Sequence, residues 1–338
     1  MHNNIGNTPL VLSDYLSEKY GCKVYIKEDF RNPGASSKDR IAWYMIHFAE
    51  KSGQIKPGGT IVEASSGNTA IGLAMLCKLK GYQCRIYLSK SGGEEKEAVL
   101  ISLGAKVIRC KTSGGPDDTQ SSQFMAAKFT QETPNAFYCN QYFNAANKQA
   151  HFETTGPEIW RQTNGKITHF LAGAGTGGTV SGVGKFLKSQ NRKIQISAVD
   201  PEGSILTHYF KNGTTEGFAG HPYYIEGIGR SFIPGALDIR QIDQFLQVSG
   251  QKSAEAAFQF RYKTGSAPGF SSGAVLAALH DIRHSLKNTD HVVVFFADKG
   301  DRYTGKLYNA QWLERYLFSS KDWPSFFNRY YNPAVTHV

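Results

Sequence analysis

His291-Val292-Val293-Val294-Phe295-Phe296-Ala297 is a nearly continuous apolar run. A strand with one wet face alternates apolar and polar side chains. A strand of a parallel sheet is covered on both faces by its crossover helices and reads as unbroken apolar sequence. Working outward from this run, shorter β-branched or aromatic stretches predict strands at Val24–Lys27, Thr60–Glu63, Cys84–Leu88, Lys106–Arg109, His169–Ala172 and Ile194–Asp200. Helical patterns fall between them at Thr69–Lys80, Glu95–Leu103, Gln120–Gln131, Gly178–Ser189, Ala254–Lys263 and Gly273–Leu286. Strands alternating with helices predict an α/β chain with mainly parallel twisted sheets flanked by helices. One set of units runs to about Phe137 and another begins near Ile167, with a helix start at Thr154-Thr155-Gly156-Pro157-Glu158 between them. The expectation is two domains beside a cleft, residues 1–145 and 146–318, followed by an aromatic tail, 319–338, packed on the domain or on a partner subunit.

The formal charge of +10 raises nucleic acid as a partner. The basic residues are spread along the chain, however, and the densest run, Lys185–Lys193, reads as an exposed helix end. No zinc-finger, RRM or helix-turn-helix pattern accompanies them. The charge is therefore read as solubility and attraction for small anions, with no nucleic-acid partner. No stretch approaches the roughly 18 to 20 apolar residues of a membrane helix, and no basic start leads into an apolar run as in a signal peptide. A cytoplasmic protein without a membrane partner is expected. The five cysteines, Cys22, Cys77, Cys84, Cys110 and Cys139, show no two-residue spacing and read as buried thiols, with no metal site.

Three segments carry chemistry. In the first, Lys38 follows a Pro-Gly turn and precedes Asp39-Arg40, among small residues that leave room for a flat ring. Burial would lower its pKa and free an amine nucleophile. Second, Ser65-Ser66-Gly67-Asn68-Thr69 lies between a strand and a helix, where hydroxyls and backbone N–H groups suit a carboxylate; simple N-capping accounts for one or two of these residues, not all five. Third, Gly175-Thr176-Gly177-Gly178-Thr179 follows the strand at 169–172 and opens a helix, an arrangement that turns backbone N–H groups toward a phosphate. It lacks the Gly-Lys-Ser/Thr ending of a nucleotide-binding P-loop. A fourth stretch, Ala267-Pro268-Gly269-Phe270-Ser271-Ser272-Gly273, places a serine hydroxyl where it could meet a pyridine nitrogen without forcing its protonation. An amine, a carboxylate grip and a phosphate cradle are together what pyridoxal phosphate (PLP) chemistry on an amino acid requires.

These segments resemble the fold-type II PLP enzymes of the cysteine synthase and cystathionine β-synthase family. Ile5-Gly6-Asn7-Thr8-Pro9-Leu10 looks like the family's opening motif and Lys38-Asp39-Arg40 like its cofactor-lysine signature. Glu226-Gly227-Ile228-Gly229 with Phe232-Ile233-Pro234, and Gly300-Asp301-Arg302-Tyr303, complete an ordered set with the two loops above, from about residue 5 to about 315. The resemblance implies PLP in the interdomain cleft. Lys38 would hold it covalently and shuttle the α-proton, Asn68 would meet its phenolic oxygen, Gly175, Thr176, Gly177, Gly178 and Thr179 its phosphate, and Ser271 its ring nitrogen. Ser65, Ser66, Thr69, Gln141 and Gly227 would hold the amino-acid substrate. The implied reaction is β-replacement on serine or an O-activated serine through an aminoacrylate, with a thiol or sulfide as second reactant, in a homodimer whose smaller domain closes over the substrate.

Within the family, cysteine synthase from O-acetylserine and sulfide is the reading taken. Cystathionine β-synthase is the alternative, on Asp200-Pro201-Glu202-Gly203-Ser204-Ile205-Leu206, Glu226 and Tyr142. Phosphoserine-using or amine-adding enzymes, and an inactive PLP-binding regulator, are further alternatives. The sequence departs from the family at Ser65 and Ala70, where Thr and Gly are usual, and at Ser91-Gly92-Gly93-Glu94-Glu95. Arg230, directly after the Gly-Ile-Gly segment, reads as a surface arginine or as an anion contact.

Overall fold

The computed structural model describes residues 4–65, 67–89, 94–111 and 118–332. From the N-terminus the elements are β1 (Leu10–Leu12), α1 (Asp14–Tyr20), β2 (Lys23–Glu28), α2 (Lys38–Lys51), β3 (Thr60–Ala64), α3 (Asn68–Lys80), β4 (Gln83–Leu88), α4 (Glu94–Ser102), β5 (Lys106–Arg109), α5 (Ser122–Glu132) and β6 (Ala136–Tyr138). Next come α6 (Ala145–Ala150), a π-helical turn over His151–Thr155, α7 (Gly156–Gln162), β7 (His169–Gly173), α8 (Gly178–Gln190), β8 (Gln195–Pro201) and α9 (Ile205–Asn212). The chain ends with β9 (Gln244–Val248), α10 (Gly250–Thr264), α11 (Phe270–Asp281), β10 (His291–Phe296), α12 (Ala310–Tyr316) and α13 (Trp323–Tyr330).

Two sheets result, one of six strands in the order β1-β2-β10-β7-β8-β9 and one of four in the order β5-β4-β3-β6. Every pairing is parallel except β1 with β2. The split is not sequential. β1 and β2 of the first half join the larger sheet, β2 running beside β10 with Val24 opposite Val292 and Ile26 opposite Val294.

The apolar run that opened the sequence reading is a central strand covered on both faces. Val292, Val294 and Phe296 enter a core with Phe258, Phe270 and Leu279 of α10 and α11. Val293 and Phe295 point the other way, to Ile159, Val180 and Leu187 of α7 and α8. Val292, Val293 and Val294 have no exposed surface, so neither face offers a place for a polar side chain. In the smaller sheet, Ile61 and Ile86 pack under α2 and α3, and Val62 and Tyr87 under α5.

The aromatic tail is anchored on the larger core through α13. Phe326 is buried against Phe258 and Phe318, with ring centres 5.0 and 4.2 Å apart. All five cysteines are free and buried. Among the described residues, no helix is long and apolar enough to cross a membrane and no group of metal-ligating side chains gathers.

Candidate active site

Six helices begin with a conventional cap. Ser13, Ser121, Asn144, Ser204, Ser249 and Asn309 each accept a backbone N–H from the first turn of α1, α5, α6, α9, α10 and α12. Six of the described α-helix starts have no side-chain cap: α7 and α13, which carry a proline in the first turn, and four without one, α2 after Ser37, α3 after Gly67, α8 after Gly177 and α11 after Gly269. These four starts carry Lys38, Asn68 and Thr69, Gly178 and Thr179, and Ser271. An uncapped helix start leaves orphan N–H donors and the positive end of a dipole, the ordinary makings of an anion site.

Contacts across the chain bring these starts together. Asn68 Nδ2 donates to Asp298 Oδ2 at 2.7 Å, and Arg302 donates both to Asn68 Oδ1 and to the Gly34 carbonyl ahead of Lys38. Both ends of the Asn68 amide are thus engaged by protein. The Thr69 hydroxyl donates to Gln141 Oε1 at 2.6 Å, and Asn147 Nδ2 bridges the Gln141 carbonyl at 2.7 Å and Thr176 Oγ1 at 3.0 Å. Thr179 Oγ1 lies 3.1 Å from Nε2 of His151, in the π-helical turn. A Cβ placed on Gly173 would stand 3.8 Å from Ser271 Cβ. Ser65 accepts the Gly67 N–H at 3.3 Å, whereas Ser66 lies outside the described residues, as do 91–93 of the divergent stretch at 91–95. Ala70 is fully buried in the first turn of α3, where its methyl joins the core of the smaller sheet.

The glycine loop is boxed in by protein. A Cβ would fall 2.2 Å from the Gly227 carbonyl oxygen at Gly175, 2.6 Å from Leu237 Cβ at Gly177 and 1.9 Å from Asn147 Oδ1 at Gly178. Gly177 also sits at φ +81°, in the left-handed region. The loop can thus follow this path only with bare backbone facing inward.

Lys38 is half-buried, with its amine donating to Ser37 Oγ at 3.1 Å. Desolvation lowers its pKa, opposed by the charge of Asp298 and assisted by that of Arg230. Ala35, three residues earlier, holds φ +56°, a costly conformation for alanine. Two residues later, Arg40 is locked in a buried ion network, with Asp29 Oδ1 and Glu158 Oε1 each 2.7 Å away and Lys27 also 2.7 Å from Glu158. This network fixes the first turn of α2 against β2 and α7.

Beneath the loop at 65–69, Glu63 is fully buried with no cation beside it. It accepts the Ala64 N–H at 2.9 Å and the Gln141 N–H at 3.2 Å. Burial pushes its pKa up to about 8. Glu63, Asn147, Asp298 and Arg302 were not singled out as site residues from sequence. Glu63 sits two residues ahead of the predicted loop, and that proximity was the one local signal available.

A family model described as pyridoxal-phosphate dependent enzyme matches residues 1–298. The chain is 41% identical over 312 residues to a cystathionine beta-synthase of Apis mellifera, spanning 92% of this chain and 61% of that protein. It is 37% identical over 313 residues to cysteine synthase 1 of Emericella nidulans, spanning 92% and 84%. The crystal structure of O-ureido-L-serine synthase superimposes with a TM-score of 0.83 at 28% identity, over 96% of this chain and 98% of that one. That of a hydrogen sulfide-producing enzyme from Fusobacterium nucleatum gives 0.79 at 33%, over 89% and 96%.

Proposed function

The chain belongs to the pyridoxal-phosphate dependent enzyme family, and from that premise we propose that it catalyses β-replacement on serine or an O-activated serine, with O-acetylserine and sulfide giving cysteine. The observation that carries this reading is the set of contacts linking the starts of α2, α3, α8 and α11, each bearing a different chemical function.

The residues fit the cofactor. The bare-backbone loop at 175–179 opens an uncapped helix, as a phosphate requires. Lys38 offers an amine whose pKa is lowered by desolvation. Ser271, buried at the start of α11, supplies a neutral hydroxyl for a ring nitrogen. When bound, PLP supplies an electron sink for a carbanion at the substrate's Cα.

The remaining work falls to the chain itself. Lys38, released from the cofactor, takes the proton from the substrate Cα and returns it there after the β-substituent has been exchanged. Ser65, Ser66 and Thr69, with the α3 dipole behind them, hold the substrate carboxylate, and Gln141 fixes Thr69 through the 2.6 Å hydrogen bond. Asn68, tethered by Asp298, would stand beside the cofactor ring. A Cβ on Gly227 would meet nothing within 4 Å, and that open side is left to the substrate.

A second reading, serine with homocysteine giving cystathionine, is favoured by the 41% identity to the honey-bee enzyme and by Tyr142, which packs on Phe232 at 5.2 Å beside Gln141. On the family resemblance the enzyme is a cytoplasmic homodimer, and its mass in solution tests the dimer.

A visible-absorbance titration of the holoenzyme tests the reaction. O-acetylserine should change the cofactor spectrum and sulfide should reverse the change. Change with serine and reversal by homocysteine would select the second reading. A spectrum unmoved by every serine donor would overturn both.

A further inference from the structure

Among the described residues, Arg230 forms no salt bridge. Its backbone is pinned from both sides, since its N–H donates to Ser204 Oγ at 3.0 Å and its carbonyl accepts the Ile205 N–H at 2.9 Å. The preceding Gly229 N–H donates to the Ala174 carbonyl at 2.8 Å. The side chain therefore has little choice of direction. Its guanidinium carbon stands 4.9 Å from the centre of the Tyr142 ring, and Nη2 lies 3.3 Å from where a Cβ on Gly175 would be. Nη1 donates to the Gly229 carbonyl at 2.5 Å, and Nε is buried with no partner. Asp200, the acid whose charge it feels, is turned toward Thr207, whose N–H and hydroxyl it accepts at 3.0 and 2.8 Å. The guanidinium thus stands beside Gly175, where its charge acts on Lys38, with donors unspent. A half-buried guanidinium without a counter-ion is unfavourable until an anion arrives, and its planar fork suits phosphate and carboxylate.

We infer that Arg230 is a specificity-determining residue that pairs with an oxyanion carried by one of the two reactants, separate from the α-carboxylate held at residues 65–69. The inference rests on the β-replacement reading above. The oxyanion has two sources. One is the phosphate of O-phosphoserine: the Cβ–O bond breaks with its electron pair leaving on phosphate, a Cβ–S bond forms, and O-phosphoserine plus H2S gives cysteine plus hydrogen phosphate. The other is the carboxylate of an amino-acid thiol: the thiol sulfur bonds to Cβ and its proton departs with the acetate released from O-acetylserine.

The test compares holoenzyme with Arg230→Gln and Arg230→Lys. In one arm kcat/KM is measured for O-phosphoserine against O-acetylserine, both with sulfide. In the other it is measured for homocysteine against sulfide, both with O-acetylserine. Cofactor content is read by absorbance throughout. Arg230→Gln should lower one of the two ratios by roughly 10- to 100-fold, with Arg230→Lys between it and wild type. The arm that moves names the source. Both ratios staying within about twofold of wild type overturns the inference, and so does a loss confined to cofactor content, which would put the guanidinium on the cofactor's own phosphate. A wild type inert with every donor fails the β-replacement reading itself. A wild type that turns over O-acetylserine and shows no arginine dependence fails this inference alone.

Discussion

Asn68 Nδ2 donates to Asp298 Oδ2 at 2.7 Å, joining residues 230 positions apart and tying the start of α3 in the smaller sheet to the end of β10 in the larger. The same oxygen accepts the Tyr303 hydroxyl at 2.7 Å. Asp298→Ala strands both donors, at about 1–3 kcal/mol each. Asp298→Asn keeps the packing and removes only the charge. That charge raises the Lys38 pKa, so both variants should shift the limb of the pH–rate profile set by Lys38 to lower pH. Denaturant melts and pH profiles of kcat/KM check this, and an unmoved limb in Asp298→Asn would separate the carboxylate from the lysine.

Lys38→Ala should cut turnover by roughly 10³-fold, the scale of a lost acid–base group. Among the described residues the amine's one side-chain hydrogen bond is to Ser37 at 3.1 Å, so the thermal midpoint of the apo-protein should barely move. Turnover at the wild-type rate would remove Lys38 from the chemistry.

How much was legible in the sequence depended on how local each signal is. A strand made almost wholly of β-branched and aromatic residues, such as β10, announces itself, and so do glycine loops between strand and helix. The three-residue strands β1 and β6 are too short to show a period. Helix α2 was missed for a different reason. Its first turn holds Asp39 and Arg40, both fully buried, so the apolar stripe of Ile41, Met45, Ile46 and Ala49 begins with charges that sequence reasoning assigns to solvent. Those charges are buried because Arg40 meets Asp29 and Glu158, 11 and 118 positions away, and pairing at that separation leaves no local pattern. The site divides in the same way. Lys38, Thr69 and the loop at 175–179 lie in short motifs, whereas Asn147 and Asp298 act through partners 29 and 230 positions away.

The pKa of Glu63 makes a prediction about stability. Its folded value of about 8 lies above its ordinary 4.5, so between these the native state holds a proton that the unfolded chain has released. Stability contributed by this group is therefore complete below about pH 4.5 and is lost as pH rises through about 8, at up to roughly 1.4 kcal/mol per pH unit. Glu63→Gln removes the titration. It leaves one of the two N–H donors from Ala64 and Gln141 without an acceptor, at about 1 kcal/mol. Unfolding free energies across pH 5 to 9 should show wild type losing ground to the variant as pH rises. Parallel curves would mean that Glu63 does not hold a proton in the fold.

Gly175→Ala tests the loop with one methyl group. The new Cβ would lie 2.2 Å from the Gly227 carbonyl oxygen, a backbone atom that cannot swing aside as a side chain can. Nearby, the Gly229 N–H holds the Ala174 carbonyl at 2.8 Å, so the strain passes into both strand-to-helix loops rather than into solvent. β7 and α8 remain anchored by Phe170, Val180 and Val183, all fully buried, and the domain should still fold. The N–H groups that open α8 would no longer converge. Cofactor affinity should fall by at least about tenfold, the effect of losing one good charged hydrogen bond. Equilibrium dialysis against PLP, with a thermal melt of the apo-protein as control, measures it. Unchanged affinity in a folded variant would place the phosphate elsewhere.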